Sequence, residues 1–156
     1  MPEGRQFCSF IVDDLLLGAD VRNVQEVVRD LEITAVPSAP RAVRGLANLR
    51  GQVLEVIDLR CYLGINDPAL ESASFYVIFR TPEGPISLLV DEVGSVMEVG
   101  EEDCSSVAPE TLKGPMREII SVVYQLSDRL LPILDMDRLL SEVVAAEHRT
   151  IPGDAA

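Results

Sequence analysis

The chain has 156 residues, of which 47% are hydrophobic and only 4% aromatic, with no tryptophan. Its 13 Lys and Arg residues against 26 Asp and Glu residues give a formal net charge of -13. This length fits one domain or two very small units that share a core, and a charge of this sign repels phosphates. The composition therefore argues against nucleic acid or an anionic membrane surface as the main partner.

Three pairs of short apolar strands, each separated by turn residues, predict β-hairpins. The turns are Asp13-Asp14, Pro82 to Pro85, and Ser127 to Arg129. The predicted strands are 7–12 and 15–19, 75–81 and 86–90, and 119–126 and 130–134. Turns at this spacing favour small barrels or sandwiches over βαβ units.

Two helices are predicted beside these strands. A short helix follows Asp58 and stops at Gly64, and a C-terminal helix begins at Asp135 or Asp137 with an apolar stripe at helical spacing. Residues 66–74 have the composition of a linker, and residues 149–156 are predicted to be a mobile tail.

Internal repetition is the most useful feature of the sequence. The blocks DVRNVQEV and EVGSVMEV align at a separation of 72, which places Val24 on Val96 (96 minus 24). Further on, LEVID aligns with LPILD, and each is followed by a helical stretch. We interpret this as a duplication into two β-rich units, residues 7–66 and 75–143. Each unit would close into a small barrel, because short strands cannot bury a core singly, and the groove between the barrels is the expected partner site.

Cysteine usage and the N-terminus indicate the compartment. Cys8, Cys61 and Cys104 are odd in number and far apart, so they suit buried thiols rather than disulfides or a metal site. No apolar run approaches the roughly 18 residues of a membrane span, and MPEGRQF does not have the form of a signal peptide. We therefore expect a cytoplasmic protein without direct membrane insertion.

The sequence resembles the CheW-type coupling proteins of bacterial chemotaxis. The motifs that carry this resemblance run in order over nearly the whole chain: VQEV, VPSAPRAVRGLANLRG, VIDLR, LLVDEV and PILD. The resemblance implies a mainly β fold, namely two intertwined SH3-like five-stranded barrels with short helices and a C-terminal helix. Together they would form one CheW-like domain, in which the first strand is free to pair with the other barrel.

The same resemblance implies a non-enzymatic scaffold without a cofactor. Its expected partners are the cytoplasmic tip of a chemoreceptor and the regulatory domain of a CheA-type histidine kinase, with other copies of the CheW fold as a further class. Such a protein would be cytoplasmic and recruited to membrane-associated receptor arrays.

The family's receptor-contacting motif maps onto six positions: Val24, Glu26, Gly45, Asn48, Arg50 and Gly51. Two compatible interpretations of Arg50 stay open. It pairs with an acid such as Glu26 or Asp58, or it lies at the groove, where a planar guanidinium suits an interface. Gly45 is interpreted either as a turn of the chain or as a residue that also keeps the receptor surface open.

Two positions depart from the family pattern. Glu55 stands where the family and the second repeat (Pro132) have proline, a residue that belongs at a sheet edge. Glu55 is therefore expected to be an exposed edge residue, and a sharper hypothesis is that it alters partner selectivity. Ser121 replaces a glycine and is interpreted as a tolerated small residue.

The other acids do not indicate chemistry. The clusters Asp13-Asp14, Asp91-Glu92 and 101–103 are interpreted as having structural or solubilising roles, and His148 as a residue near a helix end, so neither catalytic nor metal-binding residues are predicted. The alternatives to this role are a divergent relative that binds receptors or another CheW-fold protein without coupling to a kinase, a carboxylate- or metal-dependent enzyme, and a nucleic-acid-binding protein.

Overall fold

The computed structural model describes residues 5–65, 75–100, 105–107, 112, 114–126 and 128–144. Within these residues the chain forms twelve strands and three short helices. The strands are β1 Arg5–Val12, β2 Leu15–Asp20, β3 Val24–Val28, β4 Ile33–Thr34, β5 Val43–Leu49, β6 Gln52–Asp58, β7 Phe75–Thr81, β8 Gly84–Val90, β9 Glu92–Val99, β10 Ser105–Val107, β11 Ile120–Gln125 and β12 Leu130–Leu134. The helices are α1 Leu59–Leu63, α2 Met116–Ile119 and α3 136–144, and a single 3₁₀ turn covers Val21–Asn23. The predicted linker and tail lie outside the described residues.

The strands of the described chain form two six-stranded sheets. Sheet 1 has the order β3-β7-β8-β6-β5-β4, and sheet 2 has the order β10-β11-β12-β2-β1-β9. Each sheet therefore takes its central hairpin from the other half of the chain, which confirms the prediction of a mainly β, intertwined fold. Each has six strands instead of the expected five, because the two-residue β4 and the three-residue β10 each add a short strand at one edge. The unit boundaries 7–66 and 75–143 stay a prediction about the sequence repeat.

Three apolar clusters lie in and between these sheets. The largest joins both hairpins with the helices, through residues such as Phe10, Leu17, Phe79, Leu88 and Leu139. Two smaller clusters belong to one sheet each: that of sheet 1 contains Ala47, Leu54, Val56, Ile78 and Leu89, and that of sheet 2 contains Phe7, Val99, Tyr124, Leu131 and Ile133. Alternate residues of a strand face opposite sides of the sheet. Each sheet therefore packs one face around its own small cluster and the other face against the large cluster between the two sheets.

The tips of the β1–β2 and β7–β8 hairpins show which residues of these strands are equivalent in the two halves of the chain. Val12 pairs with Leu15 at the tip of β1–β2, and Thr81 pairs with Gly84 at the tip of β7–β8. Equivalent residues of these hairpins are therefore 69 apart (81 minus 12).

The later strands follow a different separation. Val43 pairs with Ile57 across β5–β6, and Ile120 pairs with Leu134 across β11–β12. Equivalent residues here are 77 apart (120 minus 43), and an irregularity follows the first pair in both hairpins.

The alignment that placed Val24 on Val96 is therefore wrong by three residues. Val24 pairs with Phe79 and Val93 pairs with Phe10, so Val24 is equivalent to Val93. The error has a simple cause, because valines recur every third residue along β3 and β9 and a shift of three keeps them matched.

Both predicted helix starts follow the same design. The Asp58 carboxylate accepts a hydrogen bond from the Cys61 amide at 3.3 Å, and the Asp135 carboxylate accepts one from the Arg138 amide at 3.2 Å. An aspartate is well suited to this place because it satisfies an amide that has no partner within the helix. Gly64 ends α1 with φ 80°, in the left-handed region.

Candidate functional site

Arg50 and Gly51 form the two-residue turn between β5 and β6. Leu49 pairs with Gln52 on either side of them, and their φ angles are 51° and 88°. Positive φ at both positions is the feature of the type I′ turn, whose twist matches that of the two strands. Glycine adopts this conformation freely, whereas arginine does so at some cost, so the turn holds the Arg50 side chain at an exposed tip at the expense of local stability.

Asn48 supports this turn from the end of β5. Its side-chain oxygen accepts a hydrogen bond from the Gly51 amide at 3.0 Å. Directly opposite Asn48 on β6 lies Val53, whose 61% exposure makes it an uncovered apolar side chain beside the turn. Sequence reasoning missed Val53, because a valine in a β-rich run is not distinguishable from a core residue.

Arg50 forms an ion pair with Glu26 of β3, so one of the two predicted partners is correct. Asp58, the other candidate, pairs instead with Arg44 at 3.3 Å. Because β3 lies at one edge of sheet 1 and β5 near the opposite edge, a contact between them requires the sheet to curl.

The electrostatic effect of this pair is clear. The Arg50 guanidinium lowers the pKa of Glu26 below its ordinary value. The side-chain amide of Gln25, 3.3 Å from the Glu26 carboxylate, makes a smaller contribution in the same direction. Both groups stabilise the ionised carboxylate by donating hydrogen bonds to it. Glu26 is therefore held charged beside an exposed guanidinium, which gives this surface a defined pattern of donors and acceptors.

Gly45 is a position where only glycine fits. Its φ is 150°, and a Cβ there would lie 2.2 Å from the carbonyl oxygen of Thr34 and 3.0 Å from the Cα of Ala35. The chain after β4 therefore passes directly over β5 at this point. The close approach agrees with the interpretation of Gly45 as a backbone requirement.

Val24 is half-buried at the start of β3 and packs against the cluster between the sheets. Its carbonyl oxygen accepts a hydrogen bond from Nη1 of Arg80 at 3.0 Å, and the same nitrogen lies 3.3 Å from the carbonyl oxygen of Arg22. Arg80, at the end of β7, therefore fixes the backbone that presents Val24. No pattern in the sequence indicates this contact, since it joins residues 56 apart.

Glu26, Asn48, Arg50 and Gly51 thus form one contiguous group, here called the Arg50 surface. Val24 and Gly45 lie on the same sheet, but their described contacts are with other neighbours. A cavity of about 330 Å³ lies between the sheets, and none of the six predicted positions is among its described lining residues.

The prediction that Glu55 lies on an edge strand is wrong. β6 pairs with β5 along its length and, from Glu55 onward, with β8 on its other side. Only residues 52–54 of β6 extend beyond β8, so Glu55 marks the point where the second pairing begins. The proline at the equivalent position, Pro132, directly precedes Ile133, the residue of β12 that pairs with β2. Glu55 is nonetheless exposed, opposite Leu46.

The described part of the chain contains no group of three or more His, Cys, Asp or Glu side chains arranged to hold a metal ion. None of its helices has the length and apolar character needed to cross a membrane.

Comparison with known proteins places this architecture in a family. The CheW-like domain matches residues 6–144, and the chain therefore belongs to the CheW-like domain family. The chemotaxis protein CheW of Thermotoga maritima is 30% identical over 141 residues, covering 89% of each protein. That of Treponema pallidum is 29% identical over 140 residues, covering 87% of this chain and 82% of the relative.

A solved structure has the same fold. The scaffolding protein TtCheW from Thermoanaerobacter tengcongensis is similar with a TM-score of 0.75 at 27% identity, covering 86% of this chain and 90% of that one. These comparisons favour a chemotaxis adaptor over a divergent relative with another role or an enzyme.

Proposed function

We propose that this protein is a non-enzymatic scaffold that joins chemoreceptor tips to the regulatory domain of a CheA-type histidine kinase. The observation that carries the proposal is the match of the CheW-like domain over residues 6–144. Such a scaffold acts by geometry: it holds receptor and kinase in one assembly, so that a shift at one contact biases the other. In the cell it would be cytoplasmic and recruited to membrane-associated receptor arrays.

The Arg50 surface is the proposed receptor contact. Arg50 is 65% exposed and held at the turn tip by its positive φ, while Glu26 and Asn48 constrain the guanidinium and the backbone beneath it. An arginine oriented in this way offers several donors in a fixed plane, and the uncovered Val53 beside it adds apolar area. This combination suits a helical hairpin that carries both carboxylates and apolar side chains.

The remaining positions support this surface. Gly45 lets the chain after β4 lie against β5, and Arg80 fixes the backbone at Val24. Glu55 is exposed on the same strand as Val53, so it is positioned to affect which partner is accepted. A Glu55→Pro variant with unchanged binding to both partners would refute a role in selectivity.

The proposal is tested by calorimetric titration of the full chain with a kinase regulatory domain and, separately, with a receptor-tip fragment. Arg50→Asn is the preferred variant, because Asn-Gly is the favoured pair for a type I′ turn and the change removes only the guanidinium. We expect it to lose at least about tenfold in receptor affinity, in the range of an interface arginine, while kinase affinity is retained.

Arg129→Ala is the matched control. Arg129 belongs to the equivalent turn of sheet 2, is 52% exposed and pairs with Asp128 at 3.3 Å. It should leave both affinities unchanged. Loss of receptor binding in both variants would mean that net charge, not the Arg50 surface, governs the contact. Receptor binding by the wild type without any kinase binding would instead identify a receptor-binding relative that does not couple.

A further inference from the structure

Two equivalent junctions lie between the sheets. In the first, the β1–β2 turn of sheet 2 meets α1, which directly follows β6 of sheet 1. In the second, the β7–β8 turn of sheet 1 faces α3, which follows β12 of sheet 2, across the cavity of about 330 Å³. The duplication relates the two junctions, so their contents are directly comparable.

The first junction is closed by a buried ion pair. Arg60 of α1 binds the Asp91 carboxylate at 2.5 Å, and the same carboxylate oxygen accepts a hydrogen bond from the Asp13 amide of the turn at 2.6 Å. The side chains of Arg60 and Asp91 are only 10% and 11% exposed. Separating them would leave a buried charge unpaired, so this carboxylate ties the turn of sheet 2 firmly to α1.

The second junction lacks every part of this tie. The separations of 77 and 69 found in the strands give the equivalent positions: Asp137 for Arg60 (137 minus 60), Pro82 for Asp13 (82 minus 13) and Arg22 for Asp91 (91 minus 22). Pro82 has no amide proton to donate. Arg22 pairs with Asp20 at 2.7 Å instead of with Asp137. The β7–β8 turn is therefore not bonded to α3 in the way that the β1–β2 turn is bonded to α1.

Opposite charges line the cavity from its two sides. Arg80 of β7 lines it from sheet 1, and Asp137 lines it from α3. Arg80 donates from Nη1 to the carbonyl oxygens of Val24 at 3.0 Å and Arg22 at 3.3 Å. Neither its Nε and Nη2 nor the exposed Asp137 carboxylate has a partner in the described part of the chain. A guanidinium and a carboxylate are thus both available to pair across this space.

We propose that the β7–β8 turn and α3 close on each other over the cavity, with the tied junction at Asp91 as the pivot and an Arg80–Asp137 ion pair in the closed arrangement. The cavity provides space for this motion at one junction, and the buried ion pair resists it at the other. An exposed ion pair shifts an equilibrium by no more than about fivefold, so the closed arrangement is held weakly and a partner that prefers either arrangement can shift the balance.

The amplitude of this motion is limited by the apolar core. The large cluster between the sheets includes Phe79 of β7 and Leu139 of α3. Closure is therefore a small rotation that keeps these contacts, not a separation of the sheets. Because Arg80 also holds the Val24 carbonyl, closure is linked to the backbone of a predicted receptor position. That link rests on the proposed function, whereas the closure itself does not.

Paramagnetic relaxation enhancement measured by NMR tests the closure in the isolated full chain. A nitroxide is attached at Glu83 of the β7–β8 turn after the three native cysteines have been replaced by alanine. We expect the amides of Asp137 and Arg138 to relax faster than their distances from the nitroxide in the structure allow. The matched control is a nitroxide at Asp14, the equivalent position of the tied turn (83 minus 14 is 69), for which the relaxation of the α1 amides should agree with the structure.

Two variants identify the ion pair. Asp137→Asn should reduce the excess relaxation by up to about fivefold, the range of an exposed ion pair, and its exposed position should tolerate the change. Added salt should act in the same direction. Arg5→Gln is the control variant: Arg5 lines the cavity from β1 of sheet 2, on the same side as Asp137, so a pair between them would need no closure. It should leave the excess unchanged.

Four outcomes would overturn the proposal. Relaxation that the single structure reproduces for both nitroxides would show that no closed arrangement forms. An equal excess for the nitroxide at Asp14 would show that the tied junction is not a pivot. An excess that survives both Asp137→Asn and added salt would exclude the ion pair, and an equal reduction in Arg5→Gln would assign the effect to general charge instead of Arg80 and Asp137.

Discussion

The two sheets are built on one plan, yet at two equivalent positions the acid and the arginine are exchanged. The corner where α1 meets the sheets, here called the α1 corner, has Arg60 on the helix and Asp91 after β8. The equivalent α3 corner has Asp137 on α3 (137 minus 60 is 77) and Arg22 after β2 (91 minus 22 is 69). The first pair is buried and the second does not form, although strand pairing and helix capping are preserved. The strand pairing and the helix capping of this architecture therefore do not require the same ion pair in both sheets.

The α1 corner also joins the two sheets. Asp91 follows β8 of sheet 1, and it holds both Arg60 and the amide of Asp13, which lies in the β1–β2 turn of sheet 2. This explains two motifs of the sequence, since Arg60 comes from VIDLR and Asp91 from LLVDEV. Four predictions test the comparison between the sheets.

Asp91→Ala should have the largest effect. Removing this carboxylate takes from the buried Arg60 guanidinium its ion pair with Asp91, and from the Asp13 amide its acceptor, which together cost about 3–5 kcal/mol. Urea denaturation followed by circular dichroism measures the loss. The equivalent change in the α3 corner, Arg22→Ala, should have a much smaller effect, because the pair of Arg22 with Asp20 is exposed. Similar losses of stability for the two variants would contradict the contrast between the buried pair of the α1 corner and the exposed pair of Arg22.

Gly45→Ala should follow, with a loss of about 3 kcal/mol or more. A Cβ at Gly45 would meet the Thr34 carbonyl oxygen at 2.2 Å, so overpacking adds to the cost of a positive φ. Gly51→Ala separates the two contributions, because a Cβ there meets nothing within 4 Å and only the backbone cost of about 1–2 kcal/mol remains. In sheet 2 the position equivalent to Gly45 is Val122. Equal losses of stability for Gly45→Ala and Gly51→Ala would show that the chain after β4 moves away from the added Cβ at little cost in free energy.

Ser87→Ala should stabilise the protein. The Ser87 hydroxyl is fully buried without a hydrogen-bond partner in the described part of the chain, and removing such a group is worth about 1 kcal/mol. Its equivalent in sheet 2 is Gly18, where a Cβ would lie 3.0 Å from Cδ1 of Ile133, so Gly18→Ala should destabilise by about 1 kcal/mol. Thermal unfolding of both variants checks the opposite signs, and a destabilised Ser87→Ala would reveal an unseen partner for the hydroxyl.

The sequence allowed prediction of what local chemistry determines. Turn residues placed the three hairpins, and Asp58 and Asp135 placed two helix starts. The pairing of Arg50 with Glu26 was one of two open choices, since opposite charges alone do not select between Glu26 and Asp58.

Contacts between distant strands could not be predicted in this way. The exchange of hairpins between the sheets depends on non-local pairing, and a valine in every third position allowed an alignment three residues out of register. The placement of Glu55 on an edge failed for the same reason, because proline preference indicates a missing amide bond but not which neighbouring strand ends there.

The smallest expected effect is on the pKa of Glu26, and it distinguishes the turn that contains Arg50 from the turn that contains Arg129. Arg50 lies in the β5–β6 turn and lowers the pKa of Glu26 in β3, whereas Arg129 lowers the pKa of Asp128 within its own turn. A carboxylate whose pKa is lowered on folding stabilises the protein above its unfolded pKa, about 4.3 for glutamate, and this contribution disappears as the pH falls through the lower folded value. Arg50→Asn should therefore raise the pKa of Glu26 toward its ordinary value, only in part because Gln25 still donates to it. An NMR titration of the Glu26 side-chain carboxyl measures this directly, with the unaltered Asp128 as internal control. If the pKa of Glu26 does not change, the Arg50 guanidinium is not held against Glu26 in solution. The contact between the β5–β6 turn and β3, which most clearly distinguishes sheet 1 from sheet 2, would then be absent.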